Sequence, residues 1–152
     1  MAKVLVAEDD HLMRWSLEKF LTQHGHLVHS VGSGSAAIDA SKSGECRVVI
    51  TDYVMPGRDG LEVLQEIKRR VPHTHVILIT GNVTPHMERF ARDRGAFDFF
   101  EKPFNLATLK HAVERAIVTP ERRKGPRCCR DGCEWQALCD GARSPQSPRP
   151  FI

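Results

Sequence analysis

Val48-Val49-Ile50-Thr51-Asp52-Tyr53-Val54-Met55-Pro56-Gly57-Arg58-Asp59-Gly60 is the stretch on which the reading of the fold turns. It begins as a run of β-branched residues, the pattern of a buried strand, and breaks abruptly into Pro and Gly. Asp52 is therefore left standing where the strand ends. In an open α/β sheet ligands bind at the carboxyl ends of the strands, where a carboxylate can meet acids from a neighbouring strand end.

Upstream of this stretch, Lys3 to Ala7 reads as a short apolar strand running into the acidic corner Glu8-Asp9-Asp10. Leu12, Met13, Leu17, Phe20 and Leu21 then recur at helical spacing until Gly25. Leu27 to Val31 predicts a second strand, and Ser35 to Ser43, with Ala36, Ala37, Ile38 and Ala40, a small-faced helix closed by Gly44. Downstream, a helix from about Leu61 to Val71 carries Leu61, Leu64, Ile67 and Val71 on one face and ends at Pro72. Val76 to Thr80 predicts a fourth strand, Pro85 to Arg94 a helix with Pro at its first position, and Phe97 to Phe100 a fifth strand. After Lys102-Pro103, Asn105 caps a helix striped by Leu106, Leu109, Ala112, Val113, Ala116 and Ile117.

Five strands alternating with five helices predict an α/β fold, a parallel sheet with helices on both faces. Right-handed crossovers leave only a few doubly wound strand orders. In one of them, 2-1-3-4-5, the ends of the first and third strands are neighbours, which brings Glu8, Asp9 and Asp52 together. Thr80 and Lys102, from the ends of the fourth and fifth strands, then line the other side.

Three clustered acids constrain the chemistry. Two carboxylates about 5 Å apart repel by roughly 3 kcal/mol at an effective dielectric of about 20, so the cluster shifts its pKa values or recruits a cation. The donors are all oxygens, with no His or Cys, which favours Mg2+ over zinc. Mg2+ would screen Asp52 enough for it to attack phosphorus and form an acyl phosphate. Lys102 can pair with a phosphoryl oxygen and Thr80 can donate to another, matching the charge spread during phosphoryl transfer.

Composition sets the outer bounds. The chain has 152 residues, 41% hydrophobic and 27% charged, enough for one domain with a full core. Residues 1–118 hold 15 Lys and Arg against 15 Asp and Glu, so the net charge of +3 comes wholly from 119–152, where 7 face 4. A neutral globular part with a mildly basic tail argues against a large nucleic-acid surface, since phosphate binding needs a clustered basic face, and direct DNA binding is not expected. There is no apolar run of membrane-spanning length and no signal-peptide layout, so the expected location is cytoplasmic, with reduced thiols and no membrane partner.

Taken together, Glu8-Asp9, Asp52 followed by Met55-Pro56-Gly57 and Asp59-Gly60, Thr80-Gly81, and Gly95-Ala96-Phe97-Asp98 leading to Lys102-Pro103-Phe104 resemble the receiver domain of bacterial two-component response regulators. Each motif alone is weak, but all five occur in the right order at strand ends. The resemblance covers residues 3 to about 118. Ile79-Thr80-Gly81-Asn82 and Arg14-Trp15 are similar to receivers of nitrogen-regulator-type transcription activators, here without their ATPase or DNA-binding domains.

That resemblance implies the flavodoxin-like receiver fold with strand order 2-1-3-4-5. It implies a response regulator in a phosphorelay, with Asp52 the phosphoacceptor for a sensor histidine kinase or phosphotransfer protein and a downstream protein target. It gives Mg2+ to Glu8, Asp9, Asp52 and the backbone carbonyl of Val54. Thr80 takes the place of the switch hydroxyl, Phe99 of the switch aromatic and Lys102 of the phosphate-pairing lysine, whose bond to Pro103 is often cis in the family. Such a domain catalyses its own phosphorylation and slow dephosphorylation and is otherwise no enzyme. Glu8 stands where the family more usually has Asp, which lengthens the reach to metal or water. Val54 and Asn82 match positions that tune hydrolysis of the aspartyl phosphate, and apolar Val54, hindering an in-line water, predicts a longer-lived phosphoryl state.

Two other readings compete. A Mg2+-dependent phosphohydrolase with an Asp nucleophile would carry a second acid two residues later, where Val54 stands. The alternative from a different class is an adaptor that is no longer phosphorylated and works through its tail. Residues 119–152 read as a Cys/Pro/Arg-rich, disordered tail. Cys128, Cys129, Cys133 and Cys139 follow neither a CxxC pair nor a ferredoxin run, so metal binding there is not the expectation. Sequence leaves the oligomeric state open.

Overall fold

The computed structural model describes residues 1–120. Strands and helices alternate as β1 (Lys3–Ala7), α1 (His11–Gln23), β2 (Leu27–Val31), α2 (Gly34–Ser41), β3 (Val48–Asp52), α3 (Gly60–Arg70), β4 (His75–Thr80), α4 (Pro85–Asp93), β5 (Asp98–Glu101) and α5 (Leu106–Val118). All strand pairs are parallel, and the sheet order is β2-β1-β3-β4-β5. The order in which strands are added reverses at β1, which opens a crevice at the strand ends between β1 and β3, the place where such sheets bind ligands.

Period-two alternation along the strands divides the apolar residues between two cores. Leu5, Val49, Val76, Leu78 and Phe99 face Ala37 and Ile38 of α2, Val63, Leu64 and Ile67 of α3, and Ala91 of α4. Val4, Val6, Val48, Ile50, Ile77 and Ile79 face Leu17 and Leu21 of α1 and Leu109, Ala112, Val113 and Ala116 of α5. β3 and β4 are buried at every residue, which is why they read as unbroken apolar runs. β2 lies at the edge and stays partly exposed.

Caps fix where the helices begin, and so how they meet the strand ends. Asp10 accepts the Met13 N–H at 2.9 Å, and Asp59 and Glu62 form a reciprocal capping box at α3. Two glycines allow close approach. A Cβ on Gly60 would lie 2.3 Å from the Asp52 carbonyl oxygen, and one on Gly34 would lie 2.5 Å from that of Arg58. Helices α3 and α2 are thus seated directly on the backbone of the β3–α3 loop.

Three local expectations are corrected. Helix α2 begins at Gly34 rather than Ser35, because the Ser33 hydroxyl accepts the Ala36 N–H and caps it, and the helix ends at Ser41. Leu12, assigned to the apolar face of α1, is exposed, and burial falls on Leu17 and Leu21. His75, read with His73 as solvated, is 3% exposed. It opens β4 opposite Val48, its Nε2 hydrogen-bonds with the Thr119 carbonyl at 2.8 Å, and its ring meets Phe97 edge-on. His73 is exposed as expected. Among the described residues no helix is long and apolar enough to cross a membrane. The cysteine-rich stretch Cys128 to Cys139 lies outside the described residues.

Candidate functional site

Strand register assembles the site. Asp52 ends β3 opposite Ile79, and Tyr53 donates its N–H to the Ile79 carbonyl at 2.7 Å, which fixes the exit of the chain from β3. Thr80 is one residue further along β4, opposite Glu101, and its carbonyl accepts the Lys102 N–H at 2.7 Å. On the other flank Glu8 follows β1 directly and donates its N–H to the Val31 carbonyl. Backbone pairing alone therefore brings Glu8, Asp52, Thr80 and Lys102 to one end of the sheet.

Carboxylate oxygens of Glu8, Asp9 and Asp52 all lie within 4.8 Å of one another. Glu8 and Asp52 are buried, and Asp9 is exposed at the mouth. Lys102 Nζ donates to Glu8 Oε2 and to Asp52 Oδ2, each at 2.9 Å. The Val54 N–H donates to Asp52 Oδ1 at 3.2 Å, while the Val54 side chain is exposed. Asp10, the third acid of the corner, is occupied in capping α1, so the corner divides into two site residues and one helix cap.

The electrostatics follow from burial and crowding. Glu8 is pushed up from its ordinary 4.5 to about 7, chiefly by burial. Hydrogen bonds from Lys102 and the Asp10 N–H work against that rise, and the charge on Asp52 adds to it. For Lys102, burial disfavours the ammonium, but the hydrogen bonds to Asp52 and Glu8 outweigh it and carry the group above its ordinary value. One ammonium against three carboxylates leaves the site short of positive charge. A proton on Glu8 supplies part of the deficit, and a divalent cation can supply it instead. The all-oxygen donor set suits a hard cation such as Mg2+.

Thr80 is fully buried and its Oγ1 accepts the Asn82 N–H at 3.3 Å. Phe99, opposite Leu78 in β5, is 9% exposed and packed inward in the core beneath α3 and α4. The Lys102–Pro103 peptide is cis. Sequence reasoning missed one residue at the site: Arg14, on α1, whose Nη1 donates to the Glu8 carbonyl at 2.7 Å. A Glu-Asp corner followed by an Arg one helical turn inside α1 was the available signal.

Residues 4–114 match the family described as the response regulator receiver domain. The chain belongs to this family. As a receiver it is 36% identical over 124 residues to the DNA-binding transcriptional regulator NtrC of Escherichia coli K12, covering 82% of this chain and 26% of that protein. It is 38% identical over 126 residues to the transcriptional regulatory protein TcrA of Mycobacterium tuberculosis, covering 82% of this chain and 47% of that one. The chain thus spans about a quarter of the length of NtrC and about half that of TcrA. Among solved structures, the receiver domain of NtrX from Brucella abortus superposes with a TM-score of 0.71 at 33% identity, covering 76% of this chain and 98% of that one. A receiver domain protein from Clostridium thermocellum gives 0.72 at 32% identity, covering 77% of this chain and 94% of that one.

Proposed function

We propose that this receiver accepts a phosphoryl group on Asp52 from the phosphohistidine of a sensor kinase or phosphotransfer protein and passes the signal to a downstream protein by changing its surface. The observation that carries the reading is the shared 4.8 Å cluster of Glu8, Asp9 and Asp52, with Lys102 bonded to two of the three acids. Glu8, Asp9, Asp52 and the Val54 carbonyl would hold Mg2+. When bound, the ion supplies charge neutralisation for an anionic nucleophile meeting an anionic phosphoryl group.

The chain's own groups divide the remaining work. Asp52 presents its carboxylate with Oδ1 held by the Val54 N–H and Oδ2 held by Lys102, so its orientation is set before the reaction. Attack by an Asp52 oxygen on phosphorus forms the acyl phosphate bond as the bond from phosphorus to the donor nitrogen breaks. Lys102 then exchanges its carboxylate partner for a phosphoryl oxygen, remaining charged throughout. Thr80 turns its hydroxyl from the Asn82 N–H toward the phosphoryl group, and Phe99, already packed inward, holds the inward position behind it. The surface of α4, β5 and α5 changes as a result. Apolar Val54 hinders water from reaching phosphorus in line and prolongs the phosphoryl state.

The DrrB receiver domain, similar to this chain with a TM-score of 0.72 at 28% identity over 78% of it, is described as BeF3-activated, which supports an activation step in a receiver of this fold. The test is incubation with acetyl phosphate and Mg2+, read by intact mass beside an Asp52→Asn variant and an EDTA control. One phosphoryl adduct that requires both Asp52 and the metal is expected. An unmodified wild-type protein, under conditions where another receiver reacts, would move the reading to a non-phosphorylated adaptor.

A further inference from the structure

We infer that Arg14 is a positioning residue for the cation site: its guanidinium holds the Glu8-Asp9 corner in place from outside, and Gly32 is the residue that makes room for it. The inference rests on the proposed reading of Glu8 and Asp9 as cation ligands. Arg14 Nη1 donates to the Glu8 carbonyl at 2.7 Å, the length of a charge-assisted hydrogen bond. Nη2 lies 3.4 Å from His11 Nδ1, so the guanidinium bridges the corner and the first turn of α1.

Glu8 is held at every polar atom. Its N–H donates to the Val31 carbonyl, its carbonyl accepts Arg14, Oε1 accepts the Asp10 N–H at 3.1 Å and Oε2 accepts Lys102. Of these, the Arg14 bond is the one made by a side chain to the main chain between the two proposed ligands. The Glu8 carbonyl belongs to the peptide that leads into Asp9, so fixing it fixes the direction in which the exposed Asp9 leaves. Asp9 has no hydrogen bond of its own among those described, and this peptide is its restraint.

Gly32 supplies the independent half of the argument. A Cβ at this position would lie 2.9 Å from Arg14 Nη1 and 3.6 Å from Cζ, with nothing else within 4 Å. Alanine there would touch Arg14 alone, and it would displace the flexible end of that side chain and not a piece of backbone. Gly32 follows β2, on the strand next to β1, so the guanidinium is seated between the ends of two neighbouring strands.

This role makes a prediction opposite in sign to simple electrostatics. Removing a positive charge near a cation site should tighten cation binding if charge were all that mattered. A positioning role requires the reverse, since groups that orient metal ligands typically cost about tenfold or more in affinity when lost. The experiment is a calorimetric titration of the full chain with Mg2+ for wild type, Arg14→Ala, Arg14→Lys, Gly32→Ala and the Arg14→Ala/Gly32→Ala double variant, with thermal unfolding in EDTA for each. Arg14→Ala should weaken Mg2+ about tenfold, and Arg14→Lys, which keeps a cationic donor group without the planar fork, should recover part of the loss. Gly32→Ala should weaken Mg2+ in the Arg14 background and have no further effect when Arg14 is absent. Binding by Arg14→Ala as tight as wild type or tighter would overturn the inference, as would an equal effect of Gly32→Ala in both backgrounds. Failure of the wild-type protein to bind Mg2+ would instead overturn the reading on which it rests.

Discussion

Raising the pH of the metal-free protein should weaken it through Glu8. The buried Glu8 carboxyl titrates near 7 in the folded chain and near 4.5 when exposed, so between those values the native state holds a proton that the unfolded state has lost. A raised folded pKa means stability that is complete below about pH 4.5 and is lost as pH rises through about 7. The rise corresponds to about 3 kcal/mol at about 1.36 kcal/mol per pH unit, and the Glu8 side chain is 2% exposed, so solvent screening does little to reduce it. For a domain of this size that is a shift in Tm of roughly 10 °C. Urea unfolding in EDTA from pH 5 to pH 8 should show the fall in wild type and a flatter profile in Glu8→Gln, which keeps an acceptor and loses the titration. Mg2+ bound as proposed would hold Glu8 ionised, so the stabilisation it confers should grow over the same range. Parallel pH profiles for wild type and Glu8→Gln would refute the assignment.

Three further outcomes follow from the geometry. Gly60→Ala drives a Cβ to 2.3 Å from the Asp52 carbonyl, a backbone clash that should cost about 1–3 kcal/mol in urea unfolding and slow phosphorylation; unchanged stability would show that α3 is not seated on Asp52 as described. Lys102→Met removes the ammonium that bonds both acids, so it should tighten Mg2+ binding in titration calorimetry while slowing labelling by acetyl phosphate about a hundredfold. Val54→Asn replaces an exposed apolar side chain at the site with one that can bind water, and the aspartyl phosphate should decay faster in a time course of the mass adduct.

The sheet was legible in the sequence because its central strands are doubly buried. Val48 to Ile50 and Val76 to Ile79 leave no polar residue to blur the pattern, and Pro and Gly mark where they stop. Asp52 stood out for the same reason, as a lone acid ending an apolar run. Boundaries set by side-chain caps were harder to read, as at α2, where Gly34 hides a cap made by Ser33. The strand order brought the site residues to one end of the sheet, but the individual side-chain contacts between distant segments were not legible. His75 looks like a turn histidine until the register puts it opposite Val48 and beside Thr119, 44 residues away. Likewise Lys102 reads as a partner for phosphate, and only the folded chain shows one ammonium shared by Glu8 and Asp52. Arg14 reads from the sequence only as part of a resemblance, and its hold on the Glu8 carbonyl, with Gly32 beside it, is seen only in the folded chain.

The most direct test of the central claim is to locate the phosphoryl group. After reaction with acetyl phosphate and Mg2+, peptide mapping with hydroxylamine cleavage of acyl phosphates should place a single modification on the peptide containing Asp52, absent from Asp52→Asn and abolished by EDTA. A modification on Glu8 or Asp9, on a histidine, or retained in Asp52→Asn would contradict the account.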